Sequence, residues 1–479
     1  MTATRGRLGW SAAGIFGPQI LQFVGLLVLG RLLTPADFGA VAIVAVVSEF
    51  SILLLNSGLS SYVVHIRATS QSHLSTVFWV NAILGTVISA AVVCFAGVIA
   101  DLFNDPQIAP LVCVSALGLV LSVGATHLGL LQRNYRFRAI AMIDFATMFV
   151  SQVGAIVLAL IGMGAFAIVV ARLAGLFVQV VLYFAVTRWR PSISIDKSAL
   201  KDVWRYARNV LGFNVVNFWS RNLDSVIIAR SAGTTVLGYY SRAYSIMLLP
   251  VSLVAGAIGR VLLPTIARQQ HNLPLAMATW TRYTILSLFV GLPIVCLFVA
   301  GPEQVVLVLL GPQWGDSAIF LQILGISIAP QLIIRPLGFV FQALGRTRAQ
   351  LVIGIATTGI TAALMFLGNV FAGPLGVAIG FTVAYSLHLV LYLIYARTRL
   401  HLQIGLLIWP SLRLLLVAAF ATGTGTGVRF VTDEWPEIAQ LVLIACAIAA
   451  AYLAAAYVVA RGSFTAALDV VRGSDLLDT

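Results

Sequence analysis

FGAVAIVAVVSEFSILLLNSGLSS, residues 38 to 61, is the stretch whose reading decides the fold. It carries one charge, Glu49, and no alternation of apolar and polar positions. A helix needs about 20 mostly apolar residues to cross a bilayer core. Lipid offers no partners to backbone amides, so such a stretch has to be helical. The same pattern recurs along the chain, which is 60% hydrophobic and only 9% charged over 479 residues. Spanning helices are predicted at 10–30, 38–61, 76–100, 110–131, 139–161, 164–187, 209–230, 237–262, 280–300, 316–343, 350–370, 374–396, 409–430 and 437–460. The first follows Arg5 and Arg7 and stays apolar beyond the length of a signal peptide, so it reads as a retained helix. The expected fold class is all-α, a polytopic membrane protein of about 14 transmembrane helices.

The net charge of +13 raises nucleic acid as a partner, but the placement of the basic residues points elsewhere. Of the 29 Lys and Arg, 19 fall at the termini or after even-numbered predicted helices, 3 (Arg31, Arg230, Arg429) at the ends of or after odd-numbered ones, and 7 inside spans. Basic residues retained on one side set orientation, so both termini are expected in the cytoplasm. The opposite loops are short and carry acids such as Asp101, Asp105, Glu303, Asp433, Glu434 and Glu437.

The longest polar stretch between helices, Arg188 to Arg208, divides the chain. Within it, Ser198 to Arg208 forms an amphipathic helix if helical, with Leu200, Val203, Trp204 and Ala207 opposite Lys201, Arg205 and Arg208. It reads either as a helix lying on the cytoplasmic leaflet or as a generic basic linker. The segments on its two sides match. RLLTPADFG (Arg31 to Gly39) and RSAGTTVLG (Arg230 to Gly238) both place Arg and Gly eight residues apart; Gln132 to Ala139 and Gln342 to Ala349 share Q-x3-R-x-R-A. Gly164 to Arg188 and Gly373 to Arg397 share their first Gly, an internal V-L-Y and their final Arg. The expected organisation is an N-terminal lobe at 1–190, a linker at 191–208, a C-terminal lobe at 209–400, and two further helices with a tail at 401–479. Six helices per repeat make the repeats parallel, which predicts two six-helix lobes around a central cavity.

RLLTPADFGAVAI, SGLSS, RNLDSVIIARSAGTTVLGYYSRAY, VLLP, LLGPQWGDSAIFLQILGI and VFQALGRTR, in this order, resemble the Wzx-type polysaccharide flippases, nearest the colanic-acid and teichuronic-acid exporter branch. That group belongs to the multidrug/oligosaccharidyl-lipid/polysaccharide superfamily. The resemblance covers predicted helices one to twelve. It implies movement of undecaprenyl-diphosphate-linked oligosaccharides from the inner to the outer leaflet of the bacterial cytoplasmic membrane, for exopolysaccharide, capsule or O-antigen synthesis.

The residues themselves identify candidates for such a site. Predicted helix seven carries Asn214, Asn217, Arg221 and Asp224 at steps of three or four, hence on one face. Arg221 lies mid-span, where a cation is costly without a partner, and Asp224 one turn on is the expected one. The pair reads either as a binding element or as a structural ion pair. Helix eight carries Arg242, Ser245, Ser252, Gly256 and Arg260 along a stripe, with Arg260 open to a snorkelling role. Helix two contributes Glu49, Asn56 and Ser60, and helix one Gln19 and Gln22. Arg172 and Arg335 lie in apolar helices, and each either pairs with a distant carboxylate such as Glu49 or faces the cavity. Arg413 reads as a snorkelling anchor.

Guanidinium binds phosphate through several directed donors. Arg221, Arg242, Arg335, Arg172 and Arg260, with Asn214, Asn217 and Gln22, are therefore the expected substrate-binding residues, and Glu49 and Asp224 the candidates for coupling to H+ or Na+. Trp219, Tyr239, Tyr240 and Tyr244 suit either sugar stacking or the membrane-interface belt. The four cysteines and six histidines have no metal-ligand spacing and no G-x-x-x-x-G-K-[ST] loop is present, so neither catalysis nor a cofactor is expected. The expected partners are the lipid-linked oligosaccharide, membrane lipid and a polymerase or export machinery, with no nucleic acid. Two alternatives stand beside the flippase: a cation-coupled drug or metabolite antiporter, and a membrane-embedded polysaccharide polymerase or ligase, which the short outer loops disfavour.

Overall fold

The computed structural model describes residues 21–56, 70–193 and 196–462, and among them every regular element is helical. The expected residues Gln19 and Ser60, and the side chains of Asn56, Asn217 and the 198–208 segment, lie outside the described part. Ten helices are long and apolar enough to cross a membrane, or eleven when the pair Ser317–Ile326 and Ile328–Ala343, bent by 50°, is one span. Two of these are double. Lys197–Arg268 breaks at Gly233 and Thr347–Arg399 at Ala372 and Gly373, where the backbone leaves helical angles. Dividing them there and adding the short apolar helix Leu21–Leu32 makes fourteen among the described residues, in the order that the hydropathy predicts.

In chain order these are α1 (Leu21–Leu32), α2 (Pro35–Asn56), α3 (Gln71–Cys94), α4 (Ile108–Arg133), α5 (Phe137–Leu160), α6 (Ala165–Thr187), α7 (197–232) and α8 (234–268). They continue as α9 (Leu273–Ala300), the bent α10 (317–343), α11 (347–371), α12 (374–399), α13 (Ile404–Val431) and α14 (Glu437–Val459). Short helices Ala96–Leu102 and Pro302–Leu310, which the hydropathy does not separate, fill two of the connections.

The internal repeat is visible in the backbone. Gly164, before α6, has φ 54° and ψ −137°, and Gly373, before α12, has φ 57° and ψ −140°. A side chain is strained at such angles, which explains the shared glycine. The Q-x3-R motif is equally structural. Tyr135 and Gly345 both have positive φ, Arg136 N donates to Leu131 O at 2.9 Å, and Arg346 N donates to Phe341 O at 2.8 Å. The two guanidinium groups then cap helix ends, Arg136 on Val186 O of α6 and Arg346 on Arg399 O of α12. A cation suits the carbonyl-rich end of a helix.

Grouped by contact, the chain forms two compact units, Met1–Gly238 and Tyr239–Thr479. The repeat boundary at 208/209 therefore differs from the packing boundary at 238/239, because α7 packs with the first unit: Phe50 of α2 meets Phe218 and Trp219 of α7 at ring-centre distances of 5.3 and 5.5 Å. Gly39 of α2 and Gly238, the paired glycines of the first repeat match, make reciprocal contacts. A Cβ on Gly39 would lie 1.7 Å from Thr234 O, and one on Gly238 1.9 Å from Pro35 O. Pro35 and Thr234 occupy matching positions in the two motifs, so the backbones cross about a local pseudo-twofold that only glycine permits.

The linker is not a loose tether. Residues 188–193 and Asp196 lie along the first turns of α3, where Gln71 accepts from Trp189 Nε1 and donates to Arg190 O, both at 2.7 Å. Trp79 Nε1 donates to Ser192 O at 2.9 Å, and Asp196 N donates to Thr76 Oγ1 at 2.8 Å. The segment from Ser198 is helical as expected, but it continues into α7 without a break instead of forming a separate surface helix.

In the second unit, α13 and α14 are anchored to α9 and to the short helix Pro302–Leu310 that follows it. Cys296 Sγ donates to Ala418 O at 3.3 Å, and Gly425 sits tightly against Ile448. Arg429 pairs with Glu303, and Gln440 links Gln304 to Arg429 O.

Candidate functional site

In the first unit, two predicted residues meet. Arg172 of α6 finds its partner in Glu49 of α2, Nη2 to Oε1 at 4.0 Å, with both side chains about half exposed. Beside them α2, α4 and α6 enclose a cavity of about 40 Å³, lined by Ser48, Ser115 and Arg172 among apolar Val44, Ile52 and Leu176. Such a volume admits a water-sized occupant where polar groups line it.

The expected pairing on α7 is different. Asp224 is buried and accepts from the backbone N–H of Ser225 at 2.7 Å, whereas Arg221 is exposed. Among the described residues no ion pair joins the two. A three-residue step places two side chains on one face, but a short aspartate that turns back to the adjacent amide no longer reaches a neighbouring guanidinium. Asn214 is half-buried on α7, and Gln22 is exposed on α1.

In the second unit, Arg335 of α10 heads a buried polar chain. It donates to Gln331 Oε1 over a long 3.5 Å, Gln331 Nε2 donates to Ser327 Oγ at 3.1 Å, and Ser327 Oγ donates to Leu324 O at 2.6 Å. Ser327 is the residue at the 50° bend of α10, so the chain runs from the arginine to the break. Arg335 thus takes a neutral partner on its own helix. Arg242 is half-buried on α8, and Arg260 is exposed eight residues before that helix ends. The serines of the α8 stripe return their hydroxyls to the helix: Ser245 to Ser241 O and Ser252 to Leu249 O. Their donors are spent locally.

The aromatic candidates divide. Tyr240 is 1% exposed, stacks on Tyr244 and meets Phe320 edge-on, so it belongs to the core and neither to a sugar platform nor to an interfacial belt. Trp219 remains 37% exposed beside Phe50.

Sequence reasoning passed over three groups. Asp144 of α5 is a third intramembrane carboxylate, with the Gln179 amide of α6 near it. A lone acid in an apolar run was readable. His388 of α12 is buried between Thr361 Oγ1 at 3.1 Å and Thr357 O at 2.9 Å of α11, a core role that only packing reveals. Asp37 in TPADFG accepts from Thr34 Oγ1 and Thr34 N and, through its other oxygen, from Ala165 N, the first residue of α6. The T-x-x-D spacing announces the first cap; the second joins residues 128 apart.

Comparison with known proteins places this architecture. The family model described as polysaccharide biosynthesis protein matches residues 28–319. The chain belongs to this family. Among curated relatives it is 28% identical over 327 residues to the succinoglycan biosynthesis transport protein ExoT of Rhizobium meliloti, covering 68% of this chain and 66% of that one. It is 23% identical to the lipopolysaccharide biosynthesis protein WzxC of Escherichia coli, covering 80% and 78% respectively. The teichuronic acid biosynthesis protein TuaB of Bacillus subtilis is 25% identical over 70% of each chain. Among solved structures, the lipid II flippase MurJ in an inward closed conformation superposes with a TM-score of 0.74 over 95% of this chain and 99% of its own, at 14% identity. A multidrug-resistance MATE transporter in an inward-facing conformation gives 0.63 over 80% and 94%, at 16% identity. At these identities the likeness is one of fold. The family members are transporters, and the chain is a multi-pass membrane protein of the same architecture.

Proposed function

We propose that this chain flips undecaprenyl-diphosphate-linked oligosaccharides from the cytoplasmic to the outer leaflet of the bacterial cytoplasmic membrane by alternating access, with both termini inside. The observation that carries this reading is the kind of charge held within the membrane helices. Arg172, Arg221, Arg242, Arg260, Arg282, Arg335 and Arg413 lie there against Glu49, Asp144 and Asp224. Arginines inside a span are costly and are kept where they act, and a diphosphate is the ligand that guanidinium groups suit. Membership in a family whose relatives are named for succinoglycan, lipopolysaccharide and teichuronic acid synthesis supports a glycan cargo.

In the first unit we assign phosphate contact to Arg221 and Arg172, and in the second to Arg242 and Arg335, with Arg260 receiving the headgroup near the helix end. Asn214, Asn217 and Gln22 supply neutral hydrogen-bonding groups for sugar hydroxyls. Glu49 and Asp224, with Asp144, are the groups through which H+ or Na+ would couple, and a polysaccharide polymerase would draw on the product. The antiporter alternative has one observation in its favour, the MATE-like fold. Against it, the carboxylates within the helices are outnumbered more than two to one by arginines, which repel a cationic cargo.

The test is transfer of a labelled undecaprenyl-diphosphate oligosaccharide across proteoliposomes containing the purified chain. Protein-dependent transfer that falls by about tenfold or more in Arg221→Ala, as expected when a charge-assisted contact to phosphate is lost, supports the flippase. Exchange of a cationic dye for protons without glycan transfer replaces it with the antiporter.

A further inference from the structure

Glu49 and Arg172 each lie seven residues, about 10 Å of helix rise, from the nearer end of α2 and α6. At that depth each charge depends on a partner. Yet the contact is 4.0 Å, whereas a charge-assisted hydrogen bond closes to about 2.7–2.9 Å. The two attract without being locked. Their side chains are 47% and 51% exposed, so the guanidinium keeps donors available to a second acceptor.

The surroundings permit movement. The cavity beside Arg172 leaves space into which its head can swing without displacing backbone. Ser48 and Ser115 on its wall donate to Val44 O at 2.8 Å and Val112 O at 2.9 Å, so their hydroxyls present lone pairs to the space and not protons. Those lone pairs suit a guanidinium in transit or a water, and leave Arg172 as the cationic group lining the cavity.

We propose that Glu49 is an internal stand-in for the phosphate of the cargo. It occupies Arg172 while the site is empty, yields it when an anionic headgroup arrives, and reclaims it to help release that headgroup. The arginine is then neutralised in both states, and the displaced carboxylate takes up a proton from solution so that it too carries no unpaired charge while the headgroup is bound. This inference rests on the flippase reading and adds to it a competition that sets affinity against turnover.

The test titrates the full chain in nanodiscs with undecaprenyl diphosphate and measures flipping in proteoliposomes alongside. Glu49→Gln removes the competitor and should tighten binding by about fivefold, the upper value for a half-exposed pair, while slowing turnover. Arg172→Gln should weaken binding, and the double variant should bind like Arg172→Gln alone. If Glu49→Gln binds no tighter than the wild type while the wild type binds and flips, the stand-in is wrong and the flippase survives. If the wild type binds nothing but Glu49→Gln binds, the exchange stands. If neither binds undecaprenyl diphosphate, both readings fall.

Discussion

Asp37 shows how much one carboxylate can organise. One oxygen takes the hydroxyl and amide of Thr34 at the start of α2, and the other takes the first free amide of α6. Helix N-termini leave amides without partners, and a carboxylate there also complements the helix dipole. Asp37→Ala should therefore destabilise the first unit by about 1–2 kcal/mol, read as an earlier melt in detergent, with Asp37→Asn intermediate. A melt unchanged by Asp37→Ala would show that water caps both helices equally well. Arg335 is the opposite case. Its neutral partner Gln331 is itself buried, so Gln331→Leu would leave Ser327 at the bend with one fewer contact and Arg335 with none on its helix. Transport by Gln331→Leu should fall even though the residue never meets cargo, while Gln331→Glu should tie Arg335 in an ion pair and depress phosphate binding.

Among elements, the α2 crossing near Thr234 depends on the absence of two side chains. Cβ atoms at Gly39 and Gly238 would collide with backbone carbonyls, which cannot rotate aside. Gly39→Val and Gly238→Val should each sharply reduce the yield of folded protein, and to similar extents because the contacts are reciprocal. Wild-type yield and transport in either would mean that the crossing opens at little cost. Gly164 and Gly373 form a second matched pair. At their positive φ an alanine should cost about 1–2 kcal/mol, with near-equal shifts in melting if the repeat is structural. The linker belongs to this scale too. Ser192 N donates to Ser75 Oγ and Asp196 N to Thr76 Oγ1, which predicts slow amide exchange at Ser192 and Asp196 compared with a free loop, and faster exchange at Ser192 after Ser75→Ala.

For the whole molecule, the fourteen helices among the described residues share a fold with both a lipid II flippase and a multidrug-resistance transporter, so fold alone does not choose a cargo. The choice follows from intramembrane charge and from family. The α13–α14 pair lies outside the repeat but not outside the packing, since Ala418, Gly425 and Arg429 engage α9, α14 and Glu303. Truncation after Leu400 should leave a chain that aggregates on extraction; a monodisperse, transport-competent product would show those helices to be accessory.

Hydropathy determined the number, order and approximate bounds of the spans, because in lipid a long apolar run has one way to satisfy its backbone. Matching segments announced the repeat, and each match proved to be a backbone requirement: Gly164 with Gly373 before a helix, Arg136 with Arg346 after one. Arg172 was legible as an arginine in need of a carboxylate. What periodicity could not supply was which carboxylate answered it. Spacing along α7 pointed to Arg221 with Asp224, yet Asp224 turned to its neighbour's amide while Glu49, 123 positions from Arg172, came within 4.0 Å. Adjacency on a helix is written in the chain, but an ion pair forms where packing brings charges together, and that distance belongs to the tertiary structure alone.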